Sequence, residues 1–330
     1  MSDLLQRHDN YFPQLEDAAQ DLWQSAKLQS EDLYSGLIRY LEEKLRVKVE
    51  IVRSVQARDT LRRYDPKRRL LLLSELLPTR SRLFQLAHQV GLLTQQNLLQ
   101  ELSDDDLLTT EESRALARIA LANYYAGAVL MPYTPFLQAA KEERYDINVI
   151  ERRFRVGFEQ VCQRLTSLRR PGEEGVPLHM IRIDIAGNIS KRFSASGIHF
   201  ARFSGICPRW NVLAAFLTPG MLRLQLSRMP DGTVFFCLAR TIQKDSGGYH
   251  APHLVQAIGL GCRIEYAKEL IYSDGVDLEN VSSAVPVGVT CRLCDREDCQ
   301  QRALPAMHRP LQVDENVRWV SLYNRPQDKA

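Results

Sequence analysis

The chain has 330 residues, 45% of them hydrophobic and 25% charged, with a formal net charge of +3. That balance belongs to a globular chain large enough for two or three cores and excludes an extended disordered one. The small net charge does not by itself announce nucleic acid. No apolar run approaches the ~20 residues of a membrane span, and the first ten residues carry no apolar signal region, so the expected compartment is the cytoplasm with no membrane partner.

In chain order, residues 13–28 and 31–46 carry apolar side chains at helical spacing, among them Leu33, Leu37 and Leu41. Residues 47–52 alternate as a strand, and 69–73 form another after a turn at Tyr64-Asp65-Pro66. A long helix is predicted over 78–100. Asp104, Asp105 and Asp106 make a solvated break, and a second long apolar helix covers 111–131 before Pro132. Residues 144–168 suit a helical pair. The texture changes around Arg169-Arg170-Pro171-Gly172, so the expected domains are 1–170 and 171–330. Beyond that boundary, strands over 179–185, 193–203 and 234–240 alternate with helices near 210–217 and 252–256. The fold class is α+β: a mostly helical first domain, then an α+β second one.

The helix over 78–100 contains Phe84-Gln-Leu-Ala-His88-Gln89-Val-Gly-Leu92, the frame of a helical HExxH site. There, two histidines four apart bind zinc and the glutamate is the general base. Here only His88 is present; Gln89 cannot act as a base and Leu92 cannot bind metal. His88 alone reads as a core or helix-face histidine. With the segment Leu121-Ala-Asn-Tyr-Tyr-Ala-Gly-Ala-Val-Leu-Met-Pro132, this region resembles the ImmA/IrrE zinc peptidase domains. That resemblance implies an acidic third ligand where this chain has Leu121, so a peptidase scaffold without its chemistry is expected. Residues 145–165 have two readings: a packed helical pair, or a helix-turn-helix with Gln160, Gln163 and Arg164 as base readers.

Of seven cysteines, three lie within nine residues, as Cys291-Arg-Leu-Cys294-Asp-Arg-Glu-Asp-Cys299. Metal or cluster ligation, redox chemistry and a disulfide are the options, and a reducing compartment argues against the disulfide. A fourth ligand is expected from Cys262, with Cys207 behind it. Three thiols on one loop and one remote are common for cubane clusters, whereas zinc more often takes two matched pairs. Both remain open beside free redox thiols. Arg292 and Arg296 would offset the charge of thiolate ligands, and Cys237 reads as core.

The second half also holds Gly187-Asn-Ile-Ser-Lys191-Arg192-Phe193-Ser194-Ala-Ser-Gly-Ile-His199-Phe200-Ala-Arg202-Phe203, then Cys207-Pro-Arg-Trp210, and later Arg240 and Lys244. With the cysteine loop, these segments resemble the short-chain fatty acyl transcriptional regulators (the PrpR/RamB/ScfR group) over about residues 8–318. The resemblance implies control of short-chain acyl-CoA metabolism, such as propionate use by the methylcitrate route. It further implies CoA or a short-chain acyl-CoA as ligand, a [4Fe–4S] cluster on C-terminal cysteines, and a homo-oligomer. Lys191, Arg192, Arg202, Arg240 and Lys244 would meet the phosphates, Ser194 and His199 would add polar contacts, and Phe193, Phe200 and Trp210 would line an apolar slot. Members also begin with a helix-turn-helix domain that residues 1–50 do not show. Either the sequence is a portion of a longer protein, or it is a sensor that binds DNA only when that domain is supplied. The competing reading is a zinc-dependent hydrolase, resting on the HExxH-like frame alone.

Overall fold

The computed structural model describes residues 2–53, 60–201, 205–244, 254–311 and 313–323. Two units emerge: Met1–Gly175 with Gln243–Leu254, and Val176–Ile242 with Val255–Ala330.

The first unit opens with α1 (Ser2–Arg7), α2 (Pro13–Ser25) and α3 (Leu33–Arg39). The helix expected over 31–46 is interrupted: a 3-10 turn precedes α3, and a π turn, Tyr40–Lys44, follows it. A small sheet follows, of β1 (Lys48–Val52), β2 (Arg62–Asp65) and β3 (Leu70–Ser74) in the order β1-β3-β2. β3 sits centrally because Leu71 and Leu73 are fully buried. Its antiparallel partner β2 occupies residues expected to lead into a turn; the turn lies one step later, where the Asp65 carboxylate accepts from the Lys67 and Arg68 amides.

The helix predicted over 78–100 is two helices, α4 (Thr79–Thr94) and α5 (Gln96–Ser103), broken at Gln95. α6 (Glu111–Leu130) starts at a Thr110 cap, whose side chain accepts from the Ser113 amide at 3.1 Å. A Cβ at Gly91 of α4 would fall 2.6 Å from the ring of Tyr125 on α6, so the glycine sets how closely these helices approach. α7 (Tyr133–Glu142), α8 (Ile147–Phe154) and α9 (Phe158–Leu165) complete the helical part, and β4 (Arg169–Arg170) pairs with β5 (Glu173–Glu174). In its core, Arg164 of α9 forms a two-pronged ion pair with Glu16 of α2 at 2.6 and 2.9 Å, and the Tyr124 hydroxyl donates to the same carboxylate.

The second unit is built on β6 (His179–Asp184), β7 (Ile189–Ser194), β8 (Arg223–Arg228), β9 (Val234–Lys244), β10 (Leu254–Arg263) and β11 (Val285–Pro286), in the order β11-β8-β9-β10-β6-β7. A short helix, α10 (Asn211–Ala214), precedes β8. The strand expected over 193–203 stops at Ser194. The helix expected near 252–256 is contradicted: Leu254, Val255 and Gln256 begin β10. That strand is buried from Gln256 to Cys262, so it lacks the polar-apolar alternation that would have marked it. One face of the sheet carries a core of Ile181, Ile183, Trp210, Phe235, Ala239 and Ala257, into which Cys207 and Val287 also pack.

Candidate metal centre

Four cysteines, Cys207, Cys291, Cys294 and Cys299, line one pocket with Pro286, Val287, Gly288, Thr290, Arg296 and Arg302. All four are at most 8% exposed. Three come from the loop after β11, which begins as a 3-10 turn at Cys291–Leu293. The fourth comes from the segment between β7 and α10. Burial pushes the Cys207 thiol up, opposed by the Arg209 and Gly288 amides, which donate to its sulfur; Cys291 and Cys294 act on it electrostatically. The Ala303 amide donates to the Cys291 sulfur at 3.4 Å. A Cβ at Gly288 would lie 2.5 Å from the Cys294 sulfur, so the pocket wall is formed by a bare backbone. Among the described residues no three His, Cys, Asp or Glu side chains stand as close as a single ion would require.

Cys262 is not the fourth member of this group. On β10, Ala257 faces the core beside Ile183, Gly259 pairs with Ile181 and Gly261 with His179. Side chains alternate along a strand, so Cys262 points to the opposite face of the sheet from Cys207. Burial there drives its thiol well above the usual range. Strand register decides this, and it is not legible from the residues alone.

Two arginines hold the loop. Arg302, 7% exposed, donates to the carbonyls of Cys291 at 2.8 Å and Cys294 at 3.1 Å, and to that of Arg296. Arg296 donates to Val287 O at 2.9 Å and Arg228 O at 2.6 Å, tying the loop to β8. Arg292, expected to share the charge-offsetting role, is exposed. Arg302 was missed because its partners are main-chain carbonyls, which leave no mark in a sequence.

The residues assigned to a CoA pocket divide between the two faces of the sheet. In the β6–β7 register Arg192 pairs with Ile181 and Ser194 with His179, on the core face. Lys191 pairs with Arg182 and Phe193 with Met180, on the other. Arg240 follows Ala239 on β9 and faces away from the core that holds Ala239. Arg192 donates to Ala201 O at 2.8 Å, and His199 is exposed. Lys244 groups with the first unit and pairs with Glu159 at 2.9 Å. Arg202 lies outside the described residues. What does assemble on the core face is an aromatic cluster: Phe200 meets Trp210 edge-on at 5.5 Å, and His179 packs against Phe200 and Phe235 at 5.8 and 5.5 Å. His179 also bonds Ser196 Oγ through Nδ1 at 2.8 Å.

In the first unit, His88 of α4 is buried, and its Nδ1 is met by the guanidinium of Arg62 on β2. Burial first, then the Arg62 charge, pushes His88 down to about 3. Gln89 and Leu121, at the positions where the resemblance would require a base and an acidic ligand, are buried and carry no carboxylate. The helix-turn-helix reading of 145–165 loses two of its three readers: Arg164 is buried on Glu16, and Gln160 Oε1 accepts from the Gly157 amide at 2.7 Å.

Comparison with known proteins places both units, the helical one with the HExxH-like helix and the sheet domain, among those of transcriptional regulators. Residues 167–323 match the short-chain fatty acyl coenzyme A regulator C-terminal family, and residues 42–166 match the IrrE N-terminal-like domain. The HTH-type transcriptional regulator PrpR of Mycobacterium tuberculosis is 42% identical over 317 residues, 96% of this chain and 65% of that protein. RamB, another HTH-type transcriptional regulator of that organism, is 39% identical over 97% of this chain and 68% of its own length. A propionyl-CoA carboxylase regulator of Cereibacter sphaeroides is 48% identical over 73% of this chain and 52% of its length. A solved Mycobacterium tuberculosis transcriptional regulator superposes with a TM-score of 0.90 at 39% identity, covering 98% of both chains. The chain belongs to the short-chain fatty acyl-CoA regulator family. It spans about half to two-thirds of the length of these curated relatives.

Proposed function

We propose that this chain is the sensing region of a transcriptional regulator of short-chain acyl-CoA metabolism, and that Cys207, Cys291, Cys294 and Cys299 hold a [4Fe–4S] cluster. The observation that carries this reading is the convergence of four buried thiols, from two separate segments, on one pocket. Four soft thiolates fit either zinc or an iron–sulfur cluster. Three thiols on one loop with one from a remote segment favour the cluster, since zinc more often takes two matched pairs. Such a cluster supplies a one-electron couple whose potential the surrounding charges and hydrogen bonds set.

CoA or a short-chain acyl-CoA is the proposed second input, by analogy with regulators named for that metabolism. Arg192, Phe200 and Trp210, on the same face as Cys207, are the members of the expected set best placed to link the two inputs. The first unit acts as a scaffold: Gln89, Leu92 and Leu121 stand where base and ligands would be needed, and Arg62 occupies His88. DNA binding would come from a further domain of a longer form or from a partner.

Iron and sulfide analysis with a visible spectrum of anaerobically purified protein tests this reading. About four irons per chain are expected for a cubane, lost in Cys207→Ser and kept in Cys262→Ser. Stoichiometric zinc, or loss of iron on changing Cys262 but not Cys207, would overturn the assignment. A calorimetric titration with CoA that gives no heat would remove the second input.

A further inference from the structure

Charge is sorted across the cysteine loop. Two of its three acids are taken by the following segment: Asp295 pairs with His308 at 3.0 Å, and Glu297 with Arg309 at 2.5 Å. Its cations Arg296 and Arg302 face the pocket, and their hydrogen bonds go to neutral carbonyls. Among the described residues no carboxylate pairs with either. Arg302 is 7% exposed, and a cation withdrawn from water is costly unless an anion offsets it. The groups that can provide that negative charge are the four thiols lining the same pocket, once ionised as ligands.

We infer that Arg302, seconded by Arg296, is the positioning residue of this centre: it fixes the Cys291 and Cys294 main chain and holds a positive charge that stabilises the reduced form of the bound group. This rests on the cluster reading above. The planar fork of an arginine reaches three carbonyls from one buried stem, which the single ammonium of a lysine cannot reproduce. Position and charge are therefore separable by substitution.

The experiment compares the whole chain, reconstituted anaerobically with iron and sulfide, with Arg302→Gln, Arg302→Lys, Arg296→Gln and the exposed-site control Arg292→Gln. The readouts are the midpoint potential by optical redox titration and the rate of iron loss to a chelator. Arg302→Gln should disfavour reduction at least tenfold, a negative shift of ~59 mV for one electron. Arg302→Lys should keep the potential within a few-fold of the parent equilibrium and lose iron faster. Arg292→Gln should change neither. Parental potentials in both Arg302→Gln and Arg296→Gln would overturn the inference. If the Arg302 variants do not fold, the potential of Arg296→Gln decides alone. If the unaltered chain takes up no iron, the cluster reading fails first and this inference falls with it.

Discussion

Replacing Gly288 with alanine probes the thiol pocket with one added carbon. The new Cβ would stand 2.5 Å from the Cys294 sulfur and 3.2 Å from its Cβ. Comfortable contact begins near ~3.5 Å, so the shortfall at sulfur is on the order of 1 Å. If Cys294 keeps its place, the clash costs ~1–3 kcal/mol, as overpacking does. Rotation of the one-torsion cysteine side chain relieves the clash at a cost to the fold below ~1 kcal/mol on the rotamer scale, but it carries the sulfur out of position. Ligand distances tolerate only about ±0.2 Å, so binding should weaken by at least the ~10–100-fold seen when outer contacts of a metal site are removed. The assay pairs iron content and visible absorbance with urea unfolding of the metal-free chain. The expected outcome is a clear loss of iron with little change in the unfolding midpoint. A full iron complement and parental spectrum in Gly288→Ala would refute the reasoning that this backbone bounds the site.

Two further predictions concern the scaffold. Glu16→Gln leaves the buried Arg164 guanidinium without its counter-charge and should lower unfolding free energy by ~3–5 kcal/mol; a urea midpoint matching the parent would contradict the ion pair described. His88 and His179 are both pushed from 6.5 down to about 3, His88 by burial and then Arg62, His179 by burial. Each is neutral in the fold yet takes a proton when unfolded below its ordinary value. Their contribution is therefore complete above about pH 6.5 and erodes as the pH falls toward 3, by up to ~1.4 kcal/mol per pH unit for each. Unfolding midpoints between pH 7.5 and 4.5 should fall, and less steeply in His179→Gln; identical slopes would count against a neutral buried His179.

Local pattern carried part of this structure, and long-range pairing carried the rest. The helix over 111–130 was visible because its apolar period, the acidic break before it and Pro132 after it all agree. The cysteine triple was visible because its members share one loop. The fourth thiol was not: the sequence ranked Cys262 ahead of Cys207, and the alternation of β10 reverses that order. Lys191 and Arg192 looked like one cationic patch because they are adjacent, and adjacency in a strand means opposite faces. Arg164 looked like a surface reader because its partner, Glu16, lies 148 residues away. β10 was hidden by burial on both faces.

The grouping of Gln243–Leu254 with the first unit bears on how the chain can be divided. The family matches meet at residues 166 and 167, which invites a cut there or at Gly175. A fragment ending at Gly175 would leave Glu159 without Lys244, and the complementary fragment would carry a strand end whose neighbours had been left behind. Each half interrupts the other in the order of synthesis. A single scission does not divide the two units, so a truncation series would need to excise or graft that segment, not merely shorten the chain.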